Sequence, residues 1–333
     1  MRKVFYEKDA SLEVLADKTI AVLGYGNQGR AQSLNMRDSG VQNIIIGNIR
    51  DASWERAEGD GFPVMSVREA CARADIIFVL VPDEEQPQVY KEAIAPELRA
   101  GKVVNFASGY NVSYGLIQPD KSVDVTMVAP RMIGDGVRSL FVQGKGFPAF
   151  LDVYQDASGR AWEFAKAVAL AIGALRTGSM AVTFQEETWM DLLTEQAILP
   201  LIYKVLEAAF EVQVEAGLPP EAVLLEMYMS KEPAEIFYRA AANGLFEQIR
   251  LHSQTSQYGQ LTSLPGVDPG PLRSFIFDTL RNRIQSGAFA RNWEDERQAG
   301  LNRFHRMREA LLTEHPMATY ERALREALGE DFL

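Results

Sequence analysis

The chain has 333 residues, with 45 acidic against 34 basic side chains and a formal net charge of −11. That length suggests two domains, and 47% hydrophobic with 24% charged residues excludes a disordered tract or a fibre. The acidity, with no basic run, disfavours nucleic acid and anionic membrane, and the lone Cys71 excludes a disulfide framework or a cysteine-based zinc site. With no apolar signal segment and no stretch near the roughly 18–20 apolar residues of a membrane span, a soluble cytoplasmic protein is expected.

Residues 19–24, TIAVLG, form an apolar run ending in glycine, and Gly24, Gly26 and Gly29 fit G-x-G-x-x-G. An amphipathic stretch, RAQSLNMRDSG, stops at Gly40, and VQNIIIG at 41–47 reads as the next strand. In this strand–turn–helix–strand setting the glycines predict dinucleotide binding. The first permits the turn, the second lets backbone approach a pyrophosphate, and the third lets helix and strand pack closely. The helix start offers N–H groups to phosphate. Gly24, Tyr25, Gly26, Asn27, Gln28 and Gly29 are the candidate cofactor turn. The next strand ends in GNIRDASWERA, where Arg50 and Ser53 suit a ribose 2′-phosphate and Asp51 suits a free hydroxyl or a helix N-cap. NADPH is the expected cofactor and NADH the alternative.

DIIFVLV at 75–81, KVVNFAS at 102–108 and VDVTMVAP at 123–130 read as further buried strands, with GFPAFLDVY at 146–154 as a sixth. Ligands lie beyond the carboxyl ends of such strands. The candidate loops are therefore 82–86 (with Pro82, Asp83 and Gln86), 108–115 and 130–136, although each could be a simple turn. From about residue 183 the pattern is helical, with a long helix expected over 186–216 and kinked at Pro200. The expected division is an α/β Rossmann domain over 1–180 and an all-helical domain over 181–333. Glu187, Asp191 and Glu195 lie four apart on one helix face, as a solvated acidic face or as hard-cation ligands.

The runs GYGNQGRAQSLNMRDSG, VPDEEQ, FASGYNVSYG, VAPRMIGDGV, FQEETWMDLLTEQ, LLEM and SQTSQYG, with IQSGAFARNWEDERQAG and EHP, resemble the short form of ketol-acid reductoisomerase along nearly the whole chain. The resemblance implies a Rossmann domain followed by a knotted, dimerising helical domain. It implies conversion of 2-acetolactate to 2,3-dihydroxyisovalerate by a Mg²⁺-promoted alkyl migration and a reduction by NADPH or NADH. Asp191 and Glu195 match the family's metal carboxylates. Glu226 matches a further acidic residue supplied by the partner subunit, and Ser253 the substrate-binding serine.

Several positions depart from the family pattern. Ser108 stands for a histidine and Ser113 commonly for another; Arg131 replaces a lysine, Met132 a glycine, Ile133 a proline and Asp135 a histidine. Ser230 replaces a glutamate, while Arg30 and Gln32 replace two usual histidines. Serine is no base without activation, and arginine does not release a proton. A neutral Ser230 weakens a second Mg²⁺, so one metal is expected, held by Asp191, Glu195 and Glu226. These changes favour a divergent reductase of a 2-keto acid or imine with the isomerase half weakened or lost, in which Asp191, Glu195, Arg131 and Ser108 act catalytically and Glu226, Ser230, Ser253 and Met132 meet the substrate. The alternatives are a working ketol-acid reductoisomerase and a non-catalytic cofactor-binding paralogue. A homodimer or larger homo-oligomer is expected in each case.

Overall fold

The computed structural model describes residues 2–329. The chain divides into two compact units, Met1–Met190 and Asp191–Leu333. The first is built on nine strands: β1 (Val4–Phe5), β2 (Ile20–Leu23), β3 (Ile44–Gly47), β4 (Val64–Met65), β5 (Ile76–Val79), β6 (Val103–Phe106), β7 (Asp124–Pro130), β8 (Ala149–Gln155) and β9 (Ser179–Ala181). They form one sheet in the order β1-β9-β8-β7-β6-β5-β2-β3-β4. From β4 to β7 all neighbours are parallel, β8 runs antiparallel to β7, and β1 closes the far edge antiparallel to β9. The helices are α1 (Asn27–Asp38), α2 (Ala52–Gly59), α3 (Val67–Arg73), α4 (Gln86–Val89), α5 (Tyr110–Ser113), α6 (Gly134–Val142), α7 (Ala161–Ile172) and α8 (Phe184–Leu193). The first strand of the parallel run, β2, lies inside the sheet, so the chain leaves it towards β3 on one side and β5 on the other. That reversal is the switch point at which doubly wound sheets open a crevice.

The sheet is buried on both faces, which is why its strands read as continuous apolar runs. Ile20, Val22, Ile76 and Phe78 pack with Leu34 and Met36 of α1 and with Val168 and Ile172 of α7. Their alternates Ala21, Leu23, Ile77 and Val79 pack with Ala70 and Cys71 of α3 on the opposite face. Each large aliphatic side chain so buried stabilises the fold by about 1.5–3 kcal/mol. The sixth strand is found at Ala149–Gln155, and its antiparallel direction is something an apolar run cannot encode. The two- and three-residue strands β1, β4 and β9 are too short to show alternation.

The second unit is helical. Its elements are α9 (Leu199–Glu215), α10 (Pro220–Leu224), α11 (Glu232–Asn243), α12 (Gln254–Ser263), α13 (Gly270–Asp278), α14 (Ala288–Gln298), α15 (Asn302–Glu309) and α16 (Pro316–Leu328). The break expected at Pro200 is instead a wide π turn over Thr194–Ile198, and Pro200 stands in the first turn of α9, where proline is tolerated. The helical pattern of this unit is interrupted at Gly244 and at Gly300–Leu301, all with positive φ. The core of this unit is small: Phe210, Val223, Leu224, Met229 and Leu324.

Candidate active site

At the end of β2, Gly24 has φ of +90°, and an added Cβ would lie 2.8 Å from the Leu80 carbonyl oxygen. Gly29 is tighter still, its Cβ falling 2.0 Å from Gly24 O, so helix and turn touch through backbone. Gly26 differs: it is exposed, a methyl added there would meet nothing within 4 Å, and it starts α1 without a side-chain cap. Gly26 thus leaves open space at the uncapped start of a twelve-residue helix, which fits a pyrophosphate. The side chain of Gln28 turns away from that space, its Nε2 donating to Met132 O at 2.9 Å while Gln32 Nε2 donates to its Oε1. Asn27 lies against Gly134, where any Cβ would strike it.

At the end of β3, Asp51 caps α2. Its Oδ1 accepts from Ser53 N at 2.9 Å, Trp54 N at 3.1 Å and Asn48 Nδ2 at 2.9 Å. Arg50 is exposed, with its guanidinium 4.8 Å from the centre of the Trp54 ring. Beyond β5, Pro82 O accepts from Glu85 N and Gln86 N, and the buried Gln86 donates to Val81 O and Asp83 Oδ1. Asn111 ties this loop to the one beyond β6, donating to Asp83 O and Gln86 Oε1.

The ends of β6 and β7 form a second cluster. Glu187 is only 1% exposed; its Oε2 accepts from Gly109 N at 2.8 Å and its Oε1 from Arg131 Nη1 at 3.0 Å. The Arg131 guanidinium also lies 5.0 Å from the centre of the Phe150 ring. Thr188 Oγ1 donates to Phe184 O, and it lies 3.1 Å from Ser113 Oγ. A Cβ on Gly109 would fall 2.2 Å from Phe184 O, so the start of α8 is pressed against the loop. Ser108 Oγ accepts from Tyr110 N at 3.3 Å and so steadies the turn of α5. Met132 and Arg131 are both partly exposed. α8 begins here because Thr183 and Glu186 form a reciprocal cap, while Asp152 Oδ2 accepts from Phe184 N. Burial raises the pKa of Asp152 above the usual carboxylate range.

Glu187 is the residue that position-by-position reading undervalued. Its place in the i, i+4, i+8 carboxylate series was the available signal, yet its burial removes it from a solvated acidic face. In the second unit, Asp191 is partly exposed and Glu195 exposed, one turn apart, and Glu226 is exposed in the π turn Leu225–Met229. Among the described residues no three His, Cys, Asp or Glu side chains converge on a common point. As hard oxygen donors, Asp191 and Glu195 still suit Mg²⁺, which commonly takes one or two carboxylates. Ser230 Oγ lies within reach of Glu232 N, and Ser253 caps α12 by accepting from Ser256 N.

The family model "Acetohydroxy acid isomeroreductase, NADPH-binding domain" matches residues 14–178, and "Ketol-acid reductoisomerase, C-terminal domain" matches 184–330. The chain belongs to the ketol-acid reductoisomerase family. It is an NAD(P)H-dependent oxidoreductase with a Rossmann domain followed by a helical one. It is 43% identical over 330 residues to "Ketol-acid reductoisomerase (NADP(+))" of Pyrobaculum neutrophilum, covering 98% of this chain and 99% of that protein. The protein of the same name from Methanocaldococcus jannaschii is 41% identical, covering 99% of each chain. A solved NADH-preferring ketol-acid reductoisomerase from an uncultured archaeon superposes with a TM-score of 0.90 at 34% identity, covering 97% of this chain and 98% of that one.

These likenesses overturn the expectation of a reductase whose isomerase half is weakened. That expectation weighed Ser108, Arg131 and Ser230 one at a time. The reductoisomerase relatives match along the helical domain as well as the cofactor domain. A changed side chain need not be a lost function: Arg131 still presents a cation, paired with the buried Glu187. No helix among the described residues is long and apolar enough to cross a membrane.

Proposed function

We propose that the chain is a working ketol-acid reductoisomerase that converts 2-acetolactate to 2,3-dihydroxyisovalerate. The observation that carries this reading is the full-length likeness to reductoisomerases, which includes the C-terminal region bearing Asp191, Glu195, Glu226 and Ser253. Residues 1–180 would form the cofactor domain and 181–333 the metal-binding and dimerising domain. Asp191, Glu195 and Glu226 would hold Mg²⁺, with Glu226 and Ser253 supplied by a second copy. Mg²⁺ supplies Lewis acidity to the oxygens of the substrate, and the nicotinamide supplies hydride. Arg131 would hold negative charge on the substrate, because its guanidinium stays protonated and Glu187 fixes its direction. Ser108 Oγ accepts from Tyr110 N, and a serine without an activating base is a poor proton acceptor, so the proton of the tertiary alcohol would go to another group. Met132 and Ser230 would line the substrate space.

NADPH is the proposed cofactor. Three donors already occupy Oδ1 of Asp51, which makes it a helix cap before it is a ribose acceptor, whereas Arg50 is exposed and braced on Trp54. Arg50→Ala should raise the KM for NADPH about tenfold and leave that for NADH nearly unchanged, since one charge-assisted contact is lost. An equal rise for both cofactors would defeat this assignment.

The function is tested by supplying 2-acetolactate, NADPH and Mg²⁺ and identifying the dihydroxy acid by NMR. The already-migrated substrate, 3-hydroxy-3-methyl-2-ketobutyrate, is run alongside. Turnover of both, with loss of both in Asp191→Asn, is expected. Turnover of the second compound alone would sink the proposal.

A further inference from the structure

Helix α2 begins beside Arg50, Asp51 and Ser53, the segment assigned to the adenosine ribose, yet of its eight residues only Ala57 is buried. One alanine methyl gives too little apolar area to set the helix against the sheet. The stronger hold is polar and lies at the opposite end. Asp60, the residue that closes α2, accepts from Arg30 Nε at 2.7 Å on Oδ2 and from Arg30 Nη2 at 3.1 Å on Oδ1. The same Oδ2 accepts from the Tyr25 hydroxyl at 2.9 Å. Tyr25 is fully buried and is the middle residue between Gly24 and Gly26. Two turns further along α1, Arg37 donates to the backbone oxygen of Asp60 and lies 4.7 Å over the Phe62 ring. Phe62 in turn meets Tyr25 edge-on at 5.9 Å.

One carboxylate thus joins the glycine turn, the first helix and the far end of α2. We propose that Arg30, Asp60 and Tyr25 form a positioning clamp that sets the distance from the pyrophosphate turn to the ribose-binding start of α2, and thereby sets affinity for the adenosine half of the cofactor. The proposal rests on the cofactor assignment above, and none of the three residues takes part in the chemistry at the substrate. Arg30 stands where a histidine is usual in the resembling pattern, and only a guanidinium grips both carboxylate oxygens at once. The lever is long enough to matter. Eight residues span about 12 Å, so a tilt of roughly 10° at Asp60 moves the start of α2 by about 2 Å, more than a hydrogen bond tolerates.

The test is calorimetric binding of NADPH and of adenosine 2′,5′-bisphosphate to the full-length protein and to Asp60→Asn, Arg30→His and Arg30→Lys. Asp60→Asn should weaken both ligands by the same factor, about three- to tenfold. Its kcat at saturating NADPH and its KM for 2-acetolactate should stay within about twofold of wild type. Arg30→Lys, which keeps the charge but loses the fork, should fall between wild type and Arg30→His. Combining Asp60→Asn with Arg30→His should cost no more than the worse single change, as expected of partners in one contact. Unchanged ligand affinity alongside a lowered Tm would make the cluster purely structural and overturn the proposal, and so would a loss confined to kcat. Binding of the bisphosphate needs no turnover, so a failed reductoisomerase assay would leave this result readable.

Discussion

An arginine paired with a buried carboxylate stays charged throughout the pH range in which a protein remains folded, whereas a lysine in its place can lose its proton. The Arg131–Glu187 pair makes that difference measurable. Arg131→Lys should introduce an alkaline limb into the kcat/KM profile near the usual lysine value of about 10.4, with no such limb in the wild type. Arg131→Met removes the cation from a carboxylate that is only 1% exposed and should cost roughly 3 kcal/mol in urea unfolding. Asp60 gives the opposite kind of signal. The Arg30 guanidinium, and after it the Tyr25 hydroxyl, hold its carboxyl below the usual aspartate range against the cost of its partial burial. Because the folded pKa is depressed, its contribution is complete above the unfolded value of about 3.9 and is lost as pH falls through the folded value. The stability gap between wild type and Asp60→Asn should therefore be flat above about pH 5 and shrink below about pH 4. Arg30 and Asp60 are thirty residues apart with no shared local pattern, so sequence periodicity could not reveal their pairing.

The elements that were easiest to read are those whose chemistry is local. The glycine turn needs its residues at fixed spacing, and the contact distances at Gly24 and Gly29 show why. Gly29→Ala would place a methyl 2.0 Å from Gly24 O, and its expected cost exceeds about 3 kcal/mol, with loss of NADPH binding as the readout. Asp51 was legible as a cap for the same local reason. Asp51→Ala should lower stability by about 1 kcal/mol in urea unfolding. Short edge strands, the direction of β8 and the π turns were not legible, because none changes the apolar period that a sequence displays. The π turn at Thr194–Ile198 moves the break in the long helix upstream of Pro200, a shift of register that no single residue announces.

At the scale of the whole molecule, the helical unit has too little core for its size. Beside the small buried cluster around Phe210 and Leu224 it exposes Phe237, Tyr238, Phe246, Tyr258, Phe275 and Phe277. Surface of that kind on a folded unit marks an interface, and a second copy is the proposed occupant. Light scattering behind gel filtration should give at least a dimer, and Phe277→Asp should shift it towards monomer with loss of turnover. A monomeric, fully active wild type would refute the shared-site reading. Asp191 and Glu195, the proposed metal carboxylates, could be picked out in the sequence by their match to the family motif. Their partners could not be placed by geometry, because residues proposed to come from another chain leave no spacing pattern within this one. The same limit applies to the substituted positions: each is visible singly, while its neighbours in space, such as Glu187 beside Arg131, are not placed there by sequence order.

Cys71 offers one consequence of a different kind. It is the chain's only cysteine, it is fully buried against the sheet, and burial pushes its thiol up to about 12. The folded molecule should thus resist thiol reagents, and labelling should report the opening of the Rossmann core. With NADPH bound, that clock should slow in proportion to ligand saturation. A cysteine introduced at the surface, at Arg50 for instance, would accept a dye with almost no background and report the ribose loop in real time.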